Sequence, residues 1–236
     1  MADKLRRFKS KEKKQKPVLV GGRVTALEAQ VKDPRRSSLY IDGRFALGLS
    51  EIVAAQVKVG QELSLEEVAR LAADEEFETA REKALHYLEY RPRSEDEIRR
   101  QLGKTYPREV IDRVIVRLRE AGLLGDKEFA RFWVETRETF KPRSPRALKY
   151  ELRQKGVPAQ VIERAVKNID EGESAYRAAR SKAERWRELE YREFQTKLGG
   201  FLARRGFNYG IIKETVRRIY REIHSEETGL EQEEVD

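Results

Sequence analysis

Hydrophobic positions recur with two different periods along this chain, and the change of period divides it. Residues 1–16 show no apolar period and are expected to form a disordered basic tail. From residue 17 the pattern is β-like. Val18–Val31 is rich in β-branched residues, and Asp33-Pro34-Arg35-Arg36 reads as a turn or loop. Ser38-Leu39-Tyr40-Ile41 and Arg44-Phe45-Ala46-Leu47 flank Asp42-Gly43, whose two positions both accept positive φ, so a tight hairpin is predicted. Two to four strands in a small sheet follow, and such a sheet must pack on something to persist. Ser50 predicts the cap of a short helix to about Val57, broken by Gly60. Ser64-Leu65-Glu66-Glu67 is a capping box that opens a long helix to Glu89 or Tyr90. Leu65, Val68, Leu71 and Ala72 give its first apolar face, with Phe77, Ala80, Ala84, Leu85 and Leu88 further on.

From Arg91 the period is helical and the pattern repeats. Pro92-Arg93-Ser94 and Pro142-Arg143-Ser144 stand 50 residues apart. At the same step fall Ile98, Leu148 and Leu198, then Leu102, Leu152 and Leu202, then Ile111, Val161 and Ile211, then Val116, Val166 and Val216, and also Gly156 with Gly206. These columns predict one ungapped register and three helices per repeat, a longer one and two short ones. Pro142–Val166 shows the plan. Ser144 is an N-cap, Pro145 takes the first helical position, Leu148 and Leu152 form the buried stripe, Gly156 ends the helix and Pro158 helps to start the next. Ser94-Glu95-Asp96-Glu97 is a further capping box, and Asp126 is expected to cap the first helix of the second repeat. Phe129, Phe132, Trp133 and Phe140 are expected as core aromatics there. Phe194, Leu198, Phe201, Leu202, Phe207, Ile211, Val216 and Ile219 are the expected core of the third repeat, which begins Arg192-Glu193-Phe194 instead of Pro-Arg-Ser.

The predicted fold is therefore mainly α, an elongated array of three tandem three-helix units preceded by a small domain containing a β-hairpin. The expected divisions are a basic tail (1–16), the β-containing domain (17–63), a bridging helix with the first unit (64–125), the second unit (126–171), the third (172–223) and a disordered acidic tail (224–236).

Composition narrows the function. The 236 residues are 39% charged and 39% hydrophobic and contain no cysteine, which excludes disulfides, thiolate metal sites and cysteine nucleophiles and fits a reducing cytoplasm. No apolar run approaches the ~20 residues needed to cross a bilayer, and the start lacks an apolar signal core. The net charge of +8 is uneven. Residues 1–16 carry +6, residues 222–236 carry −7, and the intervening chain carries +9. A basic body suggests a polyanionic partner, most simply nucleic acid. A well-solvated Arg/Glu-rich helical protein has the same composition.

Little points to catalysis. Gly103-Lys104-Thr105 resembles the end of a phosphate loop, but position 98 is Ile where that loop needs glycine, and a helix precedes it instead of a strand. His86 and His224, the only histidines, have no metal-ligand spacing. No cofactor or metal is expected. The basic helix faces say more. Arg99, Arg100 and Lys104 lie in the first repeat. Arg143, Arg146, Lys149, Arg153 and Lys155 lie in the second. Lys197, Arg204, Arg205, Lys213, Arg217 and Arg218 lie in the third. Stacked repeats would align them as one stripe for DNA phosphate or an acidic protein surface. The plainer reading is a solvated face with local partners such as Glu151 with Lys155.

At these residues the chain resembles the RecX family of recombination regulators. Arg91–Leu102 is similar to its first-unit signature. Leu123-Leu124-Gly125-Asp126-Lys127-Glu128-Phe129-Ala130 with Trp133-Val134-Glu135-Thr136-Arg137 is similar to its second. Pro142–Val157 is the closest match. The front strands resemble an extension found in some members. The resemblance implies a monomeric, non-enzymatic array of three-helix units that binds the RecA recombinase, lodges in the groove of its filament on DNA, binds single- and double-stranded DNA, and limits filament growth, ATP hydrolysis and strand exchange in recombination and repair. A helical DNA-binding protein without a recombinase partner, or an adaptor using the front domain and acidic tail, are the other readings of the same residues.

Overall fold

The structure, a computed structural model, describes residues 19–31 and 33–233. The expected basic tail over 1–16 and the final residues 234–236 lie outside them. Among the described residues the chain is mainly helical, with four strands near its start. It forms two compact units, a front unit ending at Glu82 and a helical body beginning at Lys83.

The front unit contains β1 (Gly22–Gln30), β2 (Asp33–Ile41), β3 (Arg44–Ser50), α1 (Glu51–Ala54), β4 (Glu62–Leu63) and the larger part of α2 (Leu65–Tyr90). The strands are antiparallel in the order β3-β2-β1-β4. Asp42 and Gly43, at φ 47° and 73°, make the predicted hairpin turn, with Ile41 opposite Arg44. The expected turn at Asp33–Arg36 is instead the start of β2. Pro34 is tolerated there because pairing with β3 begins only at Arg36, opposite Ser50, and pairing with β1 is irregular at Gln30, so its missing N–H costs no ladder bond. Val24, Leu39, Ile41 and Leu49 point inward onto Val53 of α1 and Val68 and Leu71 of α2.

The capping box of α2 forms as predicted. The Ser64 N–H donates to Glu67 Oε2 at 2.7 Å, and the Glu67 N–H donates to Ser64 Oγ at 3.2 Å. Leu65, expected on the apolar face, is the first helical residue and is exposed. Ser50 stands at the N-cap position of α1, but its hydroxyl makes no cap bond. Its N–H donates to the buried Glu75 carboxylate at 2.6 Å, which also accepts from Arg36 at 2.6 Å and Thr79 Oγ1 at 3.0 Å. One carboxylate thus fastens β2, the end of β3 and α2 together.

In the helical body, the end of α2 with α3 (Glu95–Leu102) and α4 (Arg108–Glu120) forms the first repeat. The second repeat is α5 (Asp126–Phe140), α6 (Pro145–Gln154) and α7 (Ala159–Val166). The third is α8 (Glu171–Ala183), a 3-10 turn at Glu184–Trp186, α9 (Tyr191–Arg204) and α10 (Tyr209–Glu233). The stretch expected as a disordered tail from 224 continues α10 to Glu233. It is dominated by Glu, Gln and Leu, which favour helix.

Ile98, Leu148, Leu198, Leu102, Leu152 and Leu202 are all fully buried, so the 50-residue step holds for the second helix of each repeat. It fails for the third helix of the first repeat. Val116 is 49% exposed, while Ile111 and Ile115 are buried, matching Ile162 and Val166 one position further along. The cause is the preceding turn. Helices α6 and α9 end in a left-handed glycine, Gly156 and Gly206 (φ 75° and 91°), with Val157 and Phe207 N–H groups reaching back to Leu152 and Leu202. Helix α3 has no such glycine, because Gly103 stays right-handed, and the chain from its last buried leucine to the next N-cap, Leu102 to Pro107, is one residue shorter than Leu152 to Pro158. Two other expectations also change. Phe140 ends α5 and is 76% exposed. Asp126 does not cap α5, whose N-cap is Gly125, and accepts the Glu95 N–H at 3.1 Å instead.

Two stability effects follow. Glu75→Ala leaves the Arg36 guanidinium with only the Gly48 carbonyl and the Ser50 N–H without its acceptor, and is expected to lower the opening free energy of the β2 and β3 amides by about 3 kcal/mol, read by native-state hydrogen exchange. Unchanged protection would show that Glu75 does not fasten the strands to α2. Leu152→Ala, in the second core, should cost roughly 2–5 kcal/mol in urea unfolding.

Candidate nucleic-acid and partner interface

The second helix of each repeat carries most of the candidate cations, and its N-terminus is where successive repeats meet. Helix α3 opens with a full capping box on Ser94 and Glu97. Ser94 Oγ then donates to the Lys155 carbonyl at the end of α6, 2.5 Å away. Gly156 beside it has no room for a Cβ, which would strike the Asp96 side chain. The same contact recurs one repeat later. Ser144 caps α6 by accepting the Ala147 N–H, and its own N–H donates to the Arg205 carbonyl at the end of α9, 3.2 Å away. A Cβ on Gly206 would lie 2.7 Å from Ser144 Oγ. Each second helix therefore presents its C-terminal carbonyls to the N-terminus of the one before. Free N–H groups and the positive end of the helix dipole favour that contact.

The charges around the first junction are balanced. Glu97 accepts from Arg91 at 2.9 Å and Lys155 Nζ at 2.7 Å. Burial works to raise the Glu97 carboxyl, but the bonds from Arg91 and Lys155 outweigh it and hold it at about 2. Lys155 also lies over the Trp133 ring, 5.1 Å from its centroid, with Arg137 at 4.6 Å. Burial pushes the Asp126 carboxyl up against the opposing pull of the Glu95 N–H.

The fourteen candidate cations fall into three groups. Lys155 and Arg205 are junction residues, the latter donating to the Pro142 carbonyl at 2.9 Å and lying over Phe201. A second group is paired with carboxylates. Arg99 bonds Asp112, Arg100 bonds Asp96 at 2.5 Å, Arg143 bonds Glu151 at 3.0 Å, Lys149 bonds Glu163 at 2.5 Å, Lys197 bonds Glu193 at 2.8 Å, and Arg218 bonds Glu173 and Glu222 at 2.6 and 3.0 Å. The third group, Lys104, Arg146, Arg153, Arg204, Lys213 and Arg217, is exposed and has no carboxylate partner among the described residues. Arg146 and Arg153 thus share α6 as predicted, while Lys149 between them is held by α7. Glu151 does not pair with Lys155. It gathers Trp133 Nε1 at 2.7 Å, Arg137 at 2.8 Å and Arg143.

Glu97 and Glu151, which organise these junctions, carry no sequence signature beyond a capping-box position for the first. The phosphate-loop lookalike is plain structure. Gly103 ends α3, Lys104 bonds Gln101, and Thr105 Oγ1 accepts from Lys83. Among the described residues no group of three His, Asp or Glu side chains is placed to hold a metal, and no helix is long and apolar enough to cross a membrane.

Models of the first, second and third three-helix domains of RecX match residues 80–118, 126–166 and 170–216. Among known proteins, the regulatory protein RecX of Amycolatopsis mediterranei (strain U-32) is 33% identical over 172 residues, covering 71% of this chain and 98% of that one. The regulatory protein RecX of Clostridium botulinum (strain Alaska E43 / Type E3) is 30% identical over 203 residues, covering 83% and 95%. A crystal structure of a regulatory protein RecX superposes with TM-score 0.63 at 26% identity over 82% of this chain and 98% of that one. RecX from Lactobacillus salivarius gives 0.53 at 26% identity over 61% and 96%.

The Glu97 carboxyl sets a pH dependence. Its folded value of about 2 lies below the ordinary 4.5, so its stabilisation is complete above that range and is lost as pH falls from about 4.5 toward 2. Acid titration of wild type against Glu97→Gln, followed by Trp133 fluorescence, should show a wild-type loss of ~3 kcal/mol in that window that the variant lacks. Parallel titrations of the two would contradict the assignment.

Proposed function

The chain belongs to the RecX family of regulatory proteins, and on that premise we propose that it is a non-enzymatic modulator of the RecA recombinase. It binds in the groove of the RecA–DNA filament and limits filament growth, ATP hydrolysis and strand exchange in the cytoplasm. The observation that supports this reading is the serial order of three repeats joined by the same helix-end junction at Ser94 and Ser144. A series of equivalent units suits a ligand that is itself a series of equivalent protomers. One chain engaging several protomers at once gains affinity from effective concentration, and it opposes both subunit addition and the subunit movements coupled to nucleotide turnover. The exposed cations without carboxylate partners supply the complementary charge for DNA phosphate or for acidic recombinase surface.

Co-sedimentation and ATPase assays with the cognate recombinase on single-stranded DNA test this. Binding to filaments and a lowered ATPase rate are expected; no binding with unchanged turnover would refute it. Salt-dependent binding to bare DNA with no preference for filaments would favour a DNA-binding protein that acts alone. Replacing Arg146, Lys149 and Arg153 together by Glu should weaken filament binding by at least about tenfold while leaving the helical circular-dichroism signal unchanged, because Leu148 and Leu152 carry the packing of α6.

A further inference from the structure

The two junctions share one construction and differ in charge. At the first, position 97 is a glutamate that takes Arg91 and Lys155, and position 96 is an aspartate that takes Arg100. Fifty residues on, the corresponding positions are Ala147 and Arg146. Lys155 of the first junction corresponds to Arg205 of the second, and Arg205 has no carboxylate partner among the described residues. Its burial, and Arg143 beside it, push its pKa down, the reverse of what an acid neighbour would do. The one carboxylate in the groove is Glu151, already committed to Trp133, Arg137 and Arg143.

An open groove of about 450 Å³ lies at this junction, lined by Arg143, Arg146, Ala147, Tyr150, Gly206 and Phe207 together with Glu151. Arg146 is exposed and unpartnered there, and Tyr150, 63% exposed, sits beside it. Two repeats therefore meet beside guanidiniums of which Arg143 is held by Glu151 while Arg146 and Arg205 have no acid, where the preceding junction is closed by Glu97.

We propose that the groove between the second and third repeats is a phosphate-binding site, in which a phosphate group takes the place that the Glu97 carboxylate fills at the first junction. Arg146 supplies the free guanidinium, Arg205 next to the groove adds positive field, Arg143 stays paired with Glu151, and Tyr150 offers a ring face to a base or sugar attached to the phosphate. Binding ties the two repeats together, so the ligand tightens this junction as well as occupying it. The site does not depend on the recombinase reading, because the protein alone carries it.

The test uses the full chain and two probes, inorganic pyrophosphate and a short oligothymidylate, with amide chemical shifts at Gly206 and Phe207 and the thermal midpoint as readouts. Shifts at both residues and a raised midpoint are expected. A response to both probes identifies the phosphate group itself as the ligand, and a response to the oligonucleotide alone identifies a nucleic-acid backbone. Arg146→Asp, which copies the charge at position 96, should weaken either probe by about tenfold or more and leave the midpoint without ligand unchanged or higher. Absence of any response in wild type, equal binding by Arg146→Asp, or binding of a polyglutamate peptide in place of both probes would each overturn the proposal. None of these results involves the recombinase, so they separate this site from the function proposed above.

Discussion

The helical body depends on one contact made twice, a helix end seated on the capped start of the corresponding helix in the preceding repeat. Ser94 Oγ against the Lys155 carbonyl and the Ser144 N–H against the Arg205 carbonyl are its hydrogen bonds. Both partners begin with unmet groups. The last carbonyls of a helix lack intrahelical donors, and the Ser94 hydroxyl and the Ser144 N–H each supply one, beside the positive end of the α3 or α6 dipole. The contact is close enough that only glycine fits at Gly156 and Gly206, where the chain must also turn left-handed. Serine and glycine of the repeat are thus two halves of one joint.

That joint explains what the sequence shows and what it hides. The capping boxes at Ser64 and Ser94, the Ser144 cap, the Asp42-Gly43 hairpin and the buried columns at 98, 148 and 198 are local features with local causes, so pattern alone locates them. The slip in the first repeat comes from a turn that lacks the left-handed glycine, and Ile115 and Val116 are adjacent apolar residues between which periodicity does not choose. Lys155, Arg205 and Asp126 read as surface or cap residues because their partners lie far along the chain, at Glu97, Pro142 and Glu95. A basic stripe read from helical spacing cannot separate cations that face solvent from those spent on such partners.

The distinction matters for function. Arg146 and Arg153 on α6 and Lys213 and Arg217 on α10 keep their charge available, while Arg99, Lys149 and Arg218 are held by acids. Surface pairs of that kind add little stability and can be exchanged for a partner's charges at modest cost, a cost that the cations without carboxylate partners do not carry. The front unit is built on different physics, a sheet fastened to α2 through the buried Glu75, and its strands lie outside the three-helix matches. Family membership therefore speaks most directly to the helical body.

A cryo-electron microscopy reconstruction of the cognate recombinase on single-stranded DNA, saturated with this protein, tests the proposed role most directly. The predicted result is continuous density for all three repeats within the filament groove, with α6 facing DNA or recombinase. Filaments that carry no added density in the groove, or density for the front unit alone, would contradict it.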